Sequence, residues 1–310
     1  MKIGTRGSKL ALIQAQKLLK VIQSKNPNLP IEIVVIETSG DWKPSHGETL
    51  LSEADGGKGL FVKEIEMAIL DGRVDVGVHS LKDVPTFLPK GLSVTHVLER
   101  DDPRDAFISN SAKTINDLPQ NATVGTSSMR RASILLSHRP DLKTVPLRGN
   151  VNTRLQKLDD GQVDATILAA AGMHRMGLED RITSYLNFDD MLPAVCQGII
   201  AMEIRENDVE ISKILDSIHD EKTGFLATAE RATLAVLDGS CRTPIGSYAE
   251  FTDGPVMRLR GLVASPDGSD ICTADETANV DTIDDAIALG THVGEIIKSK
   301  TPEQYLQVHA

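Results

Sequence analysis

The chain has 310 residues, 40% of them hydrophobic and 25% charged, enough for two or three domains with substantial cores. Its formal net charge of −11 and 3% aromatic content exclude a broad nucleic-acid surface, which needs cations and stacking rings. No run of about 18 apolar residues is present to span a membrane, and Met1-Lys2 leads straight into a strand-like segment with no signal core.

In chain order, Lys2 to Arg6 reads as a strand, and Ser8 caps a helix whose Ala11, Ala15, Leu18, Leu19 and Ile22 share one face. Lys25-Asn26-Pro27 ends that helix, and residues 31–38 follow as a β-branched strand. Residues 42–57, rich in Gly, Ser, Asp and His, read as a mobile loop able to cover a cleft. Phe61, Ile65 and Ile69 mark a second helix, and Val74, Val76 and Val78 alternate as a strand running into His79-Ser80. From Asp101 the same grammar restarts, with strands at 123–126, 142–147 and 165–169 and helices at 128–138 and 152–158. Such alternation implies parallel sheets with helices on their faces. The remainder differs: a helix through Glu230 and Arg231, a cysteine loop, strands at 247–251 and 256–264, and a helix over 281–299. It reads as a smaller α+β domain beginning near 219–222.

Two strand-to-helix corners look alike, IGTRGSKL near the start and VGTSSMRR at 124–131. Helix N-termini offer unpaired N–H groups, so each corner can hold a carboxylate or phosphate, although plain capping accounts for either one alone. The echo suggests two similar α/β domains facing a cleft. Cations concentrate at predicted element ends: Arg6, Lys58, Lys82, Arg130-Arg131, Arg148 beside Gly149, Arg154 and Arg175. In open α/β sheets the carboxyl ends of strands line the ligand crevice, and guanidinium grips carboxylate or phosphate bidentately. Any one of these cations can equally be solvated surface charge. Asp83 follows Lys82 at the end of a strand and precedes Val84-Pro85, which enforces an extended exit. A carboxylate there can stabilise a developing cation or move protons, or simply pair with a neighbouring cation.

The cysteines, Cys196, Cys241 and Cys272, are odd in number and spaced neither as a metal pair nor as a disulfide framework, so a reducing cytoplasm fits. His46 and His79 have no cysteine at ligand spacing, and no metal is assigned. Cys241 lies in VLDGSCRTPIG, among turn residues and beside Arg242, where a thiol is either a semi-buried bystander or a nucleophile.

Taken together, GTRGSKLA (4–11), GGKGLFVKEIE (56–66), VHSLKDVP (78–85), ERDDPRDAF (99–107), VGTSSMRR, LRGNVNTRLQKLD (147–159) and ER…DGSCRTPIG (230–246) resemble the porphobilinogen deaminase family, in family order and over essentially the whole chain. The resemblance implies two doubly wound, periplasmic-binding-protein-like α/β domains facing a cleft, plus a smaller C-terminal α+β domain. It divides the chain into 1–99 with 200–218, 100–199, and 219–310. It further implies a cytoplasmic, monomeric transferase of haem biosynthesis whose small-molecule substrate is porphobilinogen, with no nucleic-acid or membrane partner. Four porphobilinogen units are joined head to tail with loss of ammonia, and hydroxymethylbilane is released by hydrolysis. The growing chain is held on a dipyrromethane cofactor attached through a thioether, here to Cys241. Asp83 matches the catalytic aspartate. Arg6, Ser8, Lys82, Thr126, Ser127, Ser128, Arg130, Arg131, Arg148, Gly149, Arg154 and Arg175 match binding positions, and Lys58 the lysine of a flexible loop.

Two positions depart from the family pattern: Cys196 stands where a glycine is expected, and Thr233 where the position is usually apolar. Both read as matters of local packing. Two other readings compete. A two-domain anion receptor of the periplasmic type predicts a signal segment and no use for Cys241. A cysteine hydrolase needs a base near Cys241, and no histidine lies near it in sequence.

Overall fold

The computed structural model describes residues 1–38, 62–237 and 243–306. Lys58, Cys241 and the 42–57 loop therefore lie outside the described residues. The first elements are β1 (Lys2–Arg6), α1 (Lys9–Lys25), β2 (Glu32–Ile36), α2 (Lys63–Leu70), β3 (Val76–Ser80) and β4 (Leu92–Val97). Next come β5 (Asp105–Ser109), β6 (Thr123–Gly125), α3 (Met129–His138), β7 (Lys143–Val145), α4 (Val151–Asp159), β8 (Ala165–Ala169), α5 (Ala170–Arg175) and β9 (Ser184–Tyr185). The chain continues through β10 (Ile200–Arg205), α6 (Val209–Asp216), α7 (Glu221–Val236), β11 (Ile245–Asp253), β12 (Val256–Ala264), β13 (Ile271–Asn279) and α8 (Ile283–Lys300). No helix among the described residues is long and apolar enough to cross a membrane.

Two five-stranded sheets have the same construction. Their orders are β2-β1-β3-β10-β4 and β7-β6-β8-β5-β9. In each, the first three strands pair in parallel, and the fourth pairs antiparallel to both neighbours. The sheets are thus mixed, where alternation alone implied purely parallel ones. The odd strand is exchanged along the chain, because β5 directly follows β4 and β10 directly follows β9. Two connections, 98–104 and 186–199, carry that exchange side by side. Asp101 N–H donates to the Gly198 carbonyl at 3.1 Å, and Leu98 N–H to that of Ile200 at 3.0 Å.

The likeness between the halves extends to side chains. DGRVD (71–75) leads into β3 and DGQVD (160–164) into β8. Gly72 and Gly161 both adopt φ of 72°, the left-handed turn that ends α2 and α4. Asp75 Oδ2 accepts from Lys2 N–H at 2.7 Å, and Asp164 Oδ2 from Thr123 N–H at 2.6 Å, pinning the first strand of each sheet. Val74 and Val163 press on the strand glycines, to within 2.9 Å of where a Cβ on Gly4 would lie and 3.1 Å for Gly125.

α1 forms because Ser8 Oγ accepts from Ala11 N–H at 3.3 Å and because Ala11, Ala15, Leu18 and Ile22 fall on its buried face. The third sheet, β11-β12-β13, is an antiparallel meander covered by α7 and α8. Its core is continuous with Val62, Leu81 and Val84, so the last unit supports the exit of β3. Thr233, fully buried on α7, satisfies its hydroxyl on the Ala229 and Gly290 carbonyls at 3.2 and 3.0 Å. Cys196 has φ of 61°, which explains why glycine suits that position. Its thiol is buried, and burial together with Glu230 holds it protonated, well above the usual thiol range.

Candidate active site

The crevice is built where parallel strands end beside one another. β1 and β3 are parallel neighbours, so Arg6 at the end of β1 and Ser8 just past it stand next to Ser80 at the end of β3 and Asp83 in the turn beyond. Together with Gln14 and Val62 these residues line a narrow pocket of about 70 Å³. Gln14 Nε2 donates to Ser80 Oγ at 2.8 Å and ties α1 to the strand end. Beyond Ser80 the chain makes one 3-10 turn, Leu81–Asp83. Leu81 anchors it, buried to 2% exposure and donating its N–H to the Ile199 carbonyl at 3.0 Å. Burying such a side chain stabilises by about 1.5–3 kcal/mol, and Pro85 then keeps the exit extended.

The second corner, between β6 and α3, carries three adjacent hydroxyls. Thr126 Oγ1 accepts from Ser128 N–H at 3.2 Å, and Ser127 Oγ from Leu147 N–H at 3.0 Å. Ser128 caps α3, accepting from Arg131 N–H at 3.4 Å. Behind them lies a buried ion triad that sequence reasoning missed. Arg130 Nη2 donates to Asp105 Oδ2 at 2.7 Å, and Arg131 gives Nη2 and Nε to Asp105 Oδ1 at 2.6 and 3.1 Å. Burial alone would raise the Asp105 carboxyl, yet the two guanidiniums and Gln197 hold it well below the usual range. Arg130 Nη1 also donates to the Leu192 carbonyl at 2.6 Å, whereas its buried Nε has no partner. Both guanidiniums are therefore partly committed to Asp105, with Arg130 Nε left over.

Lys82 links the corners. Its half-buried side chain donates to Gln197 Oε1 at 3.1 Å. Burial, and then the charge on Arg131, push Lys82 down to about 8, against the opposing pull of Asp83 and Asp105.

Of the remaining cations only Arg148 follows a strand; Arg154 lies in the first turns of α4 and Arg175 ends α5. Arg148 is buried just beyond β7, and Gly149 follows with φ of 112°. A Cβ there would lie 2.8 Å from Thr153 Cγ2. Arg154 Nε donates to the Gly149 carbonyl at 2.8 Å, fixing the start of α4 against that turn. Arg175 is engaged elsewhere: Nε donates to Asp101 Oδ2 at 2.7 Å and Nη2 to the Gly198 carbonyl at 2.6 Å. Lys17 on α1 reaches the same Asp101 carboxylate at 3.1 Å, so this cluster joins both halves at the connections. Glu230, fully buried on α7, accepts from Arg100 Nη1 at 2.6 Å and from the backbone N–H groups of Cys196 and Ala249 at 2.5 and 2.8 Å. Asp101, Asp105 and Glu230 all lie within or next to motifs visible in the sequence, but only the fold reveals their partners.

Two matched α/β units, with cations and hydroxyls where their strands give way to helices, define a mixed α/β protein with a crevice at its strand ends. Family comparison narrows that class. Residues 1–213 match the family model described as porphobilinogen deaminase, dipyromethane cofactor binding domain, and residues 225–299 match the porphobilinogen deaminase C-terminal domain. A curated relative from Syntrophobacter fumaroxidans, named porphobilinogen deaminase, is 47% identical over 274 residues, covering 88% of this chain and 87% of its own. The chain belongs to the porphobilinogen deaminase family. It is accordingly a transferase of tetrapyrrole and haem biosynthesis, and its cofactor is dipyrromethane.

Among solved structures, a nutrient binding protein from Burkholderia cenocepacia bound to methionine is similar with a TM-score of 0.44 at 13% identity, covering 77% of this chain and 96% of its own. The BvgS periplasmic VFT2 domain of Bordetella pertussis gives 0.40 at 17% identity, over 70% of this chain and 86% of its own. Nothing about the site follows from so distant a likeness. Family membership leaves the anion-receptor reading unfavoured.

Proposed function

We propose that the reaction of this family runs at Asp83, in the crevice between the two matched corners, with the cofactor anchored on Cys241. The supporting observation is the position of Asp83. It sits half-buried on the 3-10 turn that leaves β3, in one pocket with Arg6 and Ser8, while its neighbour Lys82 leads to the Arg130–Arg131 corner.

Every pyrrole ring of the substrate carries an acetate and a propionate, so the bound chain gains negative charge with each addition. A net-acidic protein meets such a ligand by placing arginines at strand ends and in the first or last turns of helices. We assign carboxylate binding to Arg6, Ser8, Lys82, Thr126, Ser127, Ser128, Arg130, Arg131, Arg148, Arg154 and Arg175, with Gly149 setting the turn. Lys58 completes the set from outside the described residues. Bound through a thioether to Cys241, dipyrromethane supplies the pyrrole carbon on which the product chain is built. Asp83 accepts the pyrrole N–H of the incoming substrate. It then stabilises the azafulvene cation left when ammonia departs, and shares in the proton transfers that follow. Hydroxymethylbilane leaves by hydrolysis.

The same reading divides the chain into 1–99 with 200–218, 100–199, and 219–310. It makes the enzyme a cytoplasmic monomer that takes up porphobilinogen; Cys196 and Cys272 are both free thiols. Two measurements test the core of it. Intact-protein mass spectrometry should find a dipyrromethane adduct on the wild type and none on Cys241→Ser. Asp83→Asn should keep the adduct and lose about 100-fold or more in turnover, the scale of one preorganised electrostatic group. An unmodified wild type that still makes tetrapyrrole would sink the anchor assignment, and an Asp83→Asn enzyme with full turnover the catalytic one.

A further inference from the structure

Gln197 is fully buried in the returning connection, and its side chain spans the proposed reaction centre and the arginine corner. Its Oε1 accepts from Lys82 Nζ at 3.1 Å. Its Nε2 donates to Asp105 Oδ1 at 2.9 Å and to the Pro103 carbonyl at 2.8 Å. This orientation is forced, because an ammonium cannot accept and a carboxylate cannot donate. The backbone on either side is equally constrained. Gln197 N–H donates to the Ala194 carbonyl at 2.9 Å, and its own carbonyl accepts from Arg100 Nε at 2.9 Å. One amide therefore separates a cation on the β3 exit from an anion that already holds two arginines.

We infer that Gln197 is a positioning residue for the reaction: it holds the Lys82 ammonium between the two corners and keeps it from collapsing onto Asp83 or Asp105 as a direct ion pair. Without that acceptor, the nearest carboxylates are the ones the reaction and the arginine corner use. An Asp83 carboxylate paired with Lys82 is less available to a pyrrole N–H. A Lys82 drawn onto Asp105 competes with Arg130 and Arg131 and loosens both. This inference rests on the reading of Asp83 and Lys82 as parts of the site.

Two substitutions of similar volume separate this role from packing. Gln197→Leu removes the acceptor, so Lys82 closes on a carboxylate as a direct ion pair and the alkaline limb of kcat/KM moves to higher pH. Gln197→Met, unbranched and equally without an acceptor, moves it the same way. In both, kcat falls about tenfold, the scale of one charged hydrogen bond. Thermal unfolding and the intact mass of the Cys241 adduct, measured alongside, report folding and cofactor loading independently of activity. Limbs shifted to higher pH in folded, adduct-bearing variants support the role. Limbs that stay put, or that move to lower pH as the bare loss of a hydrogen bond would make them, overturn it. If Gln197→Leu does not fold, Gln197→Met decides alone, and an unmoved or lowered limb is the overturning result. Asp83→Asn keeps the two readings apart: full turnover there removes the premise. Lost turnover there, with unmoved limbs in the Gln197 variants, removes only this inference.

Discussion

Asp105 balances two guanidiniums that are themselves buried, so taking its charge away strands both. Breaking a buried pair by removing one partner costs about 3–5 kcal/mol. Asp105→Asn should therefore lower unfolding stability in urea by that amount, with the lost carboxylate felt at the Ser128 corner as weakened substrate binding. A second buried carboxyl behaves in the opposite sense. Glu66 on α2 is 7% exposed, and its Oε1 has no partner. Burial first, then the Glu203 carboxylate, raise it from 4.5 to about 7, with His79 opposing and Glu64 adding to the rise. His79 Nε2 lies 3.0 Å from Glu203 Oε2, so that imidazole is already engaged. A raised folded-state value means that the folded protein holds a proton the unfolded chain gives up. The stability Glu66 confers is thus complete below pH 4.5 and is lost as pH rises towards 7. The difference is about 2 kcal/mol once solvent screening is allowed for. Urea unfolding at pH 5 and pH 8 should show this loss in the wild type. In Glu66→Gln the two values should draw together, with the variant the more stable at pH 8; an unchanged gap between the two pH values would reject the assignment.

At the scale of elements, the corners were legible because their signals are local. Ser8 and Ser128 cap the helices they announce, and the valine alternation before His79 is β3. The strands that escaped were β4, β5, β9, β10 and β13, and the first four share a reason. Each takes its place in a sheet through a partner distant in sequence, as β10 does when Ile200 lies opposite Ser80. The repeat was only half visible for the same reason. DGRVD and DGQVD look like ordinary turns until Asp75 and Asp164 are seen capping the equivalent strand starts. Among the cations, position at an element end was readable, but partners were not. Arg130, Arg131 and Arg175 read as open ligand arginines, and each already answers a buried or half-buried aspartate. Gly149 tests the α4 corner directly. Its φ of 112° and the crowding by Thr153 disfavour any side chain. Gly149→Ala should cost about 1–3 kcal/mol. Because the strain displaces Arg148 and Arg154 together, KM for porphobilinogen should rise while the adduct on Cys241 still forms.

For the whole molecule, the decisive feature is that all three sheets meet at two adjacent connections, and Glu230 is where they are tied. It stands on α7, pairs with Arg100 in the first connection, receives Cys196 N–H from the second, and receives Ala249 N–H from β11. A neutral amide cannot replace it. The side chain introduced by Glu230→Gln would present donors where Arg100 already donates, and it has a single acceptor oxygen for the three groups that converge there. Arg100, with its side chain 7% exposed, would be left as a buried cation without a counter-charge. Glu230→Gln should thus lose about 3–5 kcal/mol, and the loss should be one of coupling between units. The third sheet packs on α7 and α8, and although that core runs on into Val62, Leu81 and Val84, most of it lies within this unit, so the sheet can persist when its tie to the other two fails. Calorimetry of the wild type should give one cooperative transition, and the variant two, the earlier belonging to the α/β pair. A variant that melts once, at the wild-type temperature, would show that the units are held together by something other than this carboxylate. If instead the split appears, proteolysis should cut first within 98–104 or 186–199, the connections whose geometry Glu230 fixes through Arg100 and Cys196.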